Sequence, residues 1–85
     1  PELSRFFGII IRMYYDDHSP PHFHAIYGNQ EIQIGIDPIT ILNGNIPRRA
    51  LSMVLEWAAI HQQDLLKNWY RVEENQATLK IEPLE

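Results

Sequence analysis

The 85-residue chain contains no cysteine, which excludes disulfides and thiolate metal sites and removes any demand for an oxidising compartment. Cations are few: 7 Lys and Arg against 11 Asp and Glu leave a formal net charge of −4. That balance excludes a protein that coats nucleic acid through a broad basic field, while a local anion site stays open. Long apolar runs are missing as well. The longest, Phe6-Phe7-Gly8-Ile9-Ile10-Ile11, falls far short of a bilayer span and leads into Arg12 rather than a cleavage-site pattern. No internal repeat, low-complexity tract or linker divides the chain. The expectation is one soluble, cytoplasmic domain over residues 1–85, with a 45% hydrophobic content supplying a single core. Four basic and five acidic residues fall in 1–50, three and six in 51–85, so the first half is where an anionic partner is expected.

What is present is patterned. Phe6 to Tyr15 is β-branched and aromatic and reads as one strand, with Phe7, Ile9, Ile11, Met13 and Tyr15 on the core face and Phe6, Gly8, Ile10, Arg12 and Tyr14 on the other. Pro20-Pro21 then makes Asp17-His18-Ser19-Pro20-Pro21 a stiff connection. His22–Tyr27 and Gln30–Asp37 flank Gly28-Asn29, a pair suited to a tight hairpin. With a two-residue loop, Phe23 pairs with Ile34 and Ala25 with Ile32, while His24 meets Gln33 and His22 meets Gly35 on the opposite face. A one-residue slip would exchange the faces.

After Pro38, Thr40-Ile41-Leu42 reads as a short or edge strand. A helix is predicted from about Pro47 to Glu74, with Asn45 as a nearby cap and His61-Gln62-Gln63-Asp64 as the place for a bend. Its apolar stripe runs through Leu51, Val54, Leu55, Ala58, Leu65, Leu66 and Trp69. His61 on this stripe reads as a partly buried histidine satisfied by a carbonyl or a tyrosine, and Trp57 and Trp69 as packing residues. Ala77 to Leu84, with Leu79 and Ile81 alternating against Lys80 and Glu82, reads as a short closing strand or an extended tie-down. The predicted fold is α+β: a three- or four-stranded antiparallel sheet with one long C-terminal helix packed on the Ile32/Ile34/Ile36 face.

The segments FFGIIIRMYY, DHSPPHFHAIYG, NGNIPRRAL and LEWAAIHQQDLLKNW together resemble a small prokaryotic family, domain of unknown function 4160, whose members carry a Pro-Pro-His-Phe-His motif. The resemblance spans nearly the whole chain. It implies gene pairing with another small protein, an arrangement similar to bacterial toxin-antitoxin pairs.

Three functional readings follow from the residues. His22 and His24, two apart on a strand, project to one side and can share an ion such as zinc or nickel, with His18, Asp17 or Glu31 completing the shell. The same histidines, with Arg12 and Tyr14 beside them, could supply an acid, a base and a clamp for metal-independent RNA cleavage. The favoured reading is the third: the outward face, carrying His22 and His24 beside apolar Phe6, Ile10 and Ile26, binds a second copy of the chain or a small partner protein, making an interaction or regulatory module, half of a toxin-antitoxin-like pair. Arg48 and Arg49 are a separate anomaly, since cations in the first turn of a helix oppose its macrodipole. Either Asp37, Asp16 or Asp17 pairs with them, or the helix simply tolerates them, or the helix amides and both guanidiniums bind a phosphate or carboxylate.

Overall fold

The computed structural model describes residues 1–85. Five strands form one antiparallel meander in chain order: β1 (Glu2–Phe6), β2 (Ile9–Arg12), β3 (His22–Tyr27), β4 (Gln30–Ile36) and β5 (Ile39–Gly44). Two helices follow, α1 (Arg48–Ile60) and α2 (Gln62–Glu73).

The strand predicted over Phe6–Tyr15 is instead the second half of a hairpin. Phe7 (φ 49°) and Gly8 (φ 80°) both take the left-handed conformation, the signature of a two-residue link between twisted antiparallel strands. Because that link makes Phe6 the partner of Ile9, the two share a face. Phe6 is therefore buried, its ring 5.4 Å from that of Trp57, and does not belong to the outward face. Ile9, Ile11 and Met13 are buried as predicted, but Phe7 at the turn and Tyr15 beyond the strand are exposed. Phenylalanine is rare at positive φ, so nothing in the apolar run marked the turn except Gly8.

The Gly28-Asn29 hairpin has the predicted register: Phe23 pairs with Ile34, Ala25 with Ile32, His24 with Gln33 and His22 with Gly35. Phe23, Ala25, Ile32, Ile34 and Ile36 are fully buried on the face that the helices cover. β5 is an edge strand, and Gly44 (φ 77°) lies where any Cβ would collide with the Glu31 carbonyl oxygen.

The single long helix resolves into two. His61 (φ −111°, ψ 23°) sits at the junction, yet its N–H still donates to the Trp57 carbonyl (3.0 Å) and its carbonyl accepts from Leu65 N–H (2.9 Å). The ladder thus bends rather than stops, and Gln62 Nε2 donates to the Ile36 carbonyl at 2.7 Å, tying the bend to the end of β4. The buried stripe runs through Ala50, Val54, Trp57, Ala58, Leu65, Asn68, Trp69 and Val72, with Leu51, Leu55 and Leu66 on its flank. Pro47 occupies the cap position without a side-chain cap bond, so Asn45 does not cap α1. His61 finds neither a carbonyl nor a tyrosine for its ring; it lies against Trp57 (5.5 Å between centroids), with Nδ1 3.8 Å from Asp64 Oδ2.

The tail is an extended tie-down and makes no regular strand. Ile81 N–H donates to the Leu3 carbonyl (2.9 Å), and Trp57 Nε1 donates to the Glu82 carbonyl (2.8 Å). The buried Asn68 side chain exchanges two hydrogen bonds, each 2.9 Å, with the backbone of Leu79. These bonds hold the backbone and turn the Leu79 side chain outward, so it is exposed while Ile81 is buried. Beside this strap, Arg5 donates to Glu2 at 2.8 Å and holds its carboxyl below the ordinary value. No helix is long and apolar enough to cross a membrane.

Candidate metal centre

His22 and His24 leave β3 on the side opposite the isoleucines, as strand parity requires. They are nevertheless buried, with only 6% and 4% of their surface exposed. The outward sheet face at this point is covered by the chain between β2 and β3, which includes the stiff double-proline connection. Tyr14 sets its ring edge against His24, centroids 4.7 Å apart, and Asp17 reaches in from the same segment. At the strand end, Trp69 of α2 reaches around to His22, ring centroids 5.2 Å apart. The histidines are thus enclosed and are not available as a docking surface for a partner.

The polar contacts are specific. His22 Nδ1 donates to the Pro20 carbonyl at 2.8 Å. A carbonyl can only accept, so the proton sits on Nδ1 and the lone pair on Nε2 points inward. His24 Nδ1 lies 2.7 Å from Glu31 Oε2, and its Nε2 lies 2.8 Å from Asp17 Oδ2. The same Asp17 oxygen is 3.4 Å from His22 Nε2. One ligand atom from each of Asp17, His22 and His24 therefore lies within 4.8 Å of the others, a group able to hold a metal ion.

The donor chemistry fits an ion. Around a tetrahedral zinc with bonds near 2.0–2.1 Å, adjacent donors stand about 3.3 Å apart; the His22 contact at 3.4 Å matches this, and the His24 contact at 2.8 Å is a hydrogen bond that lengthens by about half an ångström when an ion enters. Each ring also has its second nitrogen held, one by a backbone carbonyl and one by a carboxylate, the outer arrangement that fixes the tautomer of metal-binding histidines. Glu31, which the sequence offered as a direct ligand, takes this outer position; its far side borders a polar cleft of about 140 Å³ with Gln33, Asn43 and Gly44.

Among the other candidates, His18 is exposed and stands outside the convergent group. Arg12 is paired with His24 across β2 and β3 and is half-buried, and Tyr14 contributes its ring. Arg48 and Arg49 are exposed at the start of α1, and neither forms an ion pair with Asp16, Asp17 or Asp37. Sequence reasoning missed the Pro20 carbonyl and Trp69. Only the stiffness of the double proline hinted at the first, and no local signal pointed to the second.

No curated protein and no solved structure matches the chain. A family model described as a domain of unknown function, DUF4160, matches residues 8–70, which takes in β2 through most of α2 and every member of the histidine–aspartate group. The chain belongs to the DUF4160 family.

Proposed function

We propose that the chain is a metal-binding protein that holds one divalent ion, zinc or nickel, through Asp17 Oδ2, His22 Nε2 and His24 Nε2. The observation that carries this is the convergence of Asp17 Oδ2, His22 Nε2 and His24 Nε2 within 4.8 Å of one another. With Nδ1 of His24 donating to Glu31, its Nε2 lone pair would face a carboxylate oxygen at 2.8 Å, and His22 Nε2 adds a second lone pair at 3.4 Å. Three electron-rich atoms in a buried cluster are stabilised by positive charge among them. A doubly protonated His24 satisfies Asp17 and Glu31 but leaves the His22 Nε2 lone pair unmatched; a divalent ion in place of the Nε2 proton satisfies all three atoms. Two imidazoles and one carboxylate suit zinc or nickel and leave a coordination position for water or a small ligand.

Metal-independent RNA cleavage is less well supported by the same geometry. It needs one ring free as base and another free as acid over a phosphate, whereas both nitrogens of His24 and Nδ1 of His22 are already engaged. The test is a calorimetric titration of untagged, chelator-treated protein with zinc and with nickel. One site per chain, abolished in His22→Ala and in Asp17→Ala, supports the reading; binding that survives both substitutions rejects it.

A second reading, a module that pairs with another protein chain, draws on β5. This edge strand carries no charge from Ile39 to Gly44, and Ile41 and Leu42 are 49% and 41% exposed. Such an edge is a template for strand addition. The opposite edge is already met by the tail through the Ile81–Leu3 bond, so self-pairing of β5 would close at two copies rather than grow into a fibre. Light scattering across a concentration series should then give a dimer that Leu42→Lys dissolves. A monomer at every concentration would end the homodimer reading, and a complex formed only with the small partner implied by the family resemblance would replace it.

A further inference from the structure

The three basic residues of the otherwise acidic second half, Lys67, Arg71 and Lys80, all line one cleft. It lies between α2 and the tail and has a volume of about 360 Å³, within the range of about 300–1,000 Å³ typical of small-molecule sites. An anionic partner is expected at residues 1–50, but the cleft lies in the second half, because the folded tail brings Lys80 against a helix face that carries Lys67 and Arg71.

Two features show that this is more than a solvated charge cluster. Lys67 and Arg71 stand four apart on α2, where like charges repel, and none of the molecule's ion pairs includes Lys67, Arg71 or Lys80. The only carboxylate in the lining, Asp64, faces His61 at 3.8 Å. Arg71 spends a single weak bond (3.4 Å) on the Ala77 carbonyl, Lys80 donates to the Glu2 carbonyl, and the Lys67 ammonium makes no hydrogen bond within the chain. Beside these cations Tyr70 and Leu79 are 58% and 57% exposed. Leu79 cannot turn away, since the buried Asn68 holds both its N–H and its carbonyl. The Leu79 and Tyr70 side chains therefore stand next to two cations without a carboxylate partner, Lys67 and Arg71, while Lys80 acts on the Glu2 carboxylate.

We propose that this cleft binds a small organic anion, a carboxylate or phosphate monoester whose apolar body lies on Leu79 and Tyr70 while its head group meets Lys67 and Arg71. The site shares no residue with the histidine–aspartate group, so it stands or falls independently of the metal reading. Amide chemical shifts of the full chain, followed at low salt during titration with phenyl phosphate, benzoate, inorganic phosphate and phenol, test it. The aromatic anions should saturate with shifts confined to α2 and the tail, the tighter of the two identifying the head group, and should bind at least tenfold more tightly than either inorganic phosphate or phenol. Lys67→Gln, at an exposed position, should weaken the tighter anion about fivefold, as loss of one ion pair does. Phenol binding as tightly as phenyl phosphate, inorganic phosphate doing so, shifts scattered over the sheet, or an unchanged affinity in Lys67→Gln would each overturn the assignment.

Discussion

Glu31 touches no proposed metal position, yet its replacement by glutamine should be felt at the ion. With the ion on Nε2, the Glu31 carboxylate 2.7 Å from His24 Nδ1 would accept the remaining ring proton and so hold the lone pair on the metal side. Loss of such an outer partner lowers metal affinity by about 10- to 100-fold. Thermal unfolding with and without metal reads this directly. At a free metal concentration 100 times Kd, binding stabilises the wild-type chain by about 2.7 kcal/mol, which for a domain of this size raises Tm by about 10–20 °C. At the same concentration the Glu31→Gln chain would sit at 1–10 times its own Kd, leaving about 0.4–1.4 kcal/mol. The metal-induced rise in Tm should thus fall at least to half, measured against the variant's own metal-free baseline. That baseline absorbs the separate cost of weakening a charge-assisted bond at a half-exposed carboxylate. An undiminished rise would refute the claim that Glu31 orients a ligand, and an equal rise in Asp17→Ala would refute the ligand set itself.

Three further outcomes follow from the fold. Gly44→Ala places a methyl against the Glu31 carbonyl at positive φ and should destabilise the chain by about 1–3 kcal/mol in urea unfolding; an unchanged midpoint would mean that Gly44 does not lie against the Glu31 carbonyl in this conformation. Ser4 Oγ is buried without a hydrogen-bond partner, so Ser4→Ala should leave stability unchanged or raise it by about 1 kcal/mol, and a clear loss by calorimetry would contradict that. Asn68→Ala removes both bonds to Leu79 and should cost about 1–3 kcal/mol at about 0.5–1.5 kcal/mol per bond, with hydrogen exchange of the Leu79 and Ile81 amides accelerated ahead of the β3 and β4 amides. Unaltered exchange at those two amides would show that the tail is held by other means.

The hairpin that carries the histidines was legible because two rules agree there. A Gly-Asn pair separates two alternating runs, and only one register places Phe23 and Ala25 opposite Ile34 and Ile32. The bend at His61 and the course of the tail were legible only in part: polar residues interrupting a stripe suggested a bend within one helix, and the tail's alternation suited a closing strand as well as a tie-down. The β1–β2 hairpin was hidden because Phe7 adopts a conformation that its residue type disfavours, and the resulting one-turn inversion moved Phe6 from the outward face into the core. For the site, the sequence supplied the side on which His22 and His24 emerge and offered Asp17 and Glu31 as companions. It could not say that the intervening connection folds back over them, since that depends on Tyr14 and Asp17 meeting β3 in space. Nor could it separate the roles of the two carboxylates: Asp17 meets Nε2 and Glu31 meets Nδ1 of one ring, a distinction made by a few ångströms of tertiary placement.

The central claim is that Asp17, His22 and His24 form one metal position, and anomalous diffraction from crystals of untagged protein grown with one equivalent of zinc tests it most directly. The account predicts a single anomalous peak bonded at about 2.0–2.2 Å to Asp17 Oδ2 and to Nε2 of both histidines, with His22 Nδ1 still on the Pro20 carbonyl and His24 Nδ1 still on Glu31. Zinc found elsewhere, or no peak while His24 keeps its two carboxylate contacts unchanged, would contradict it.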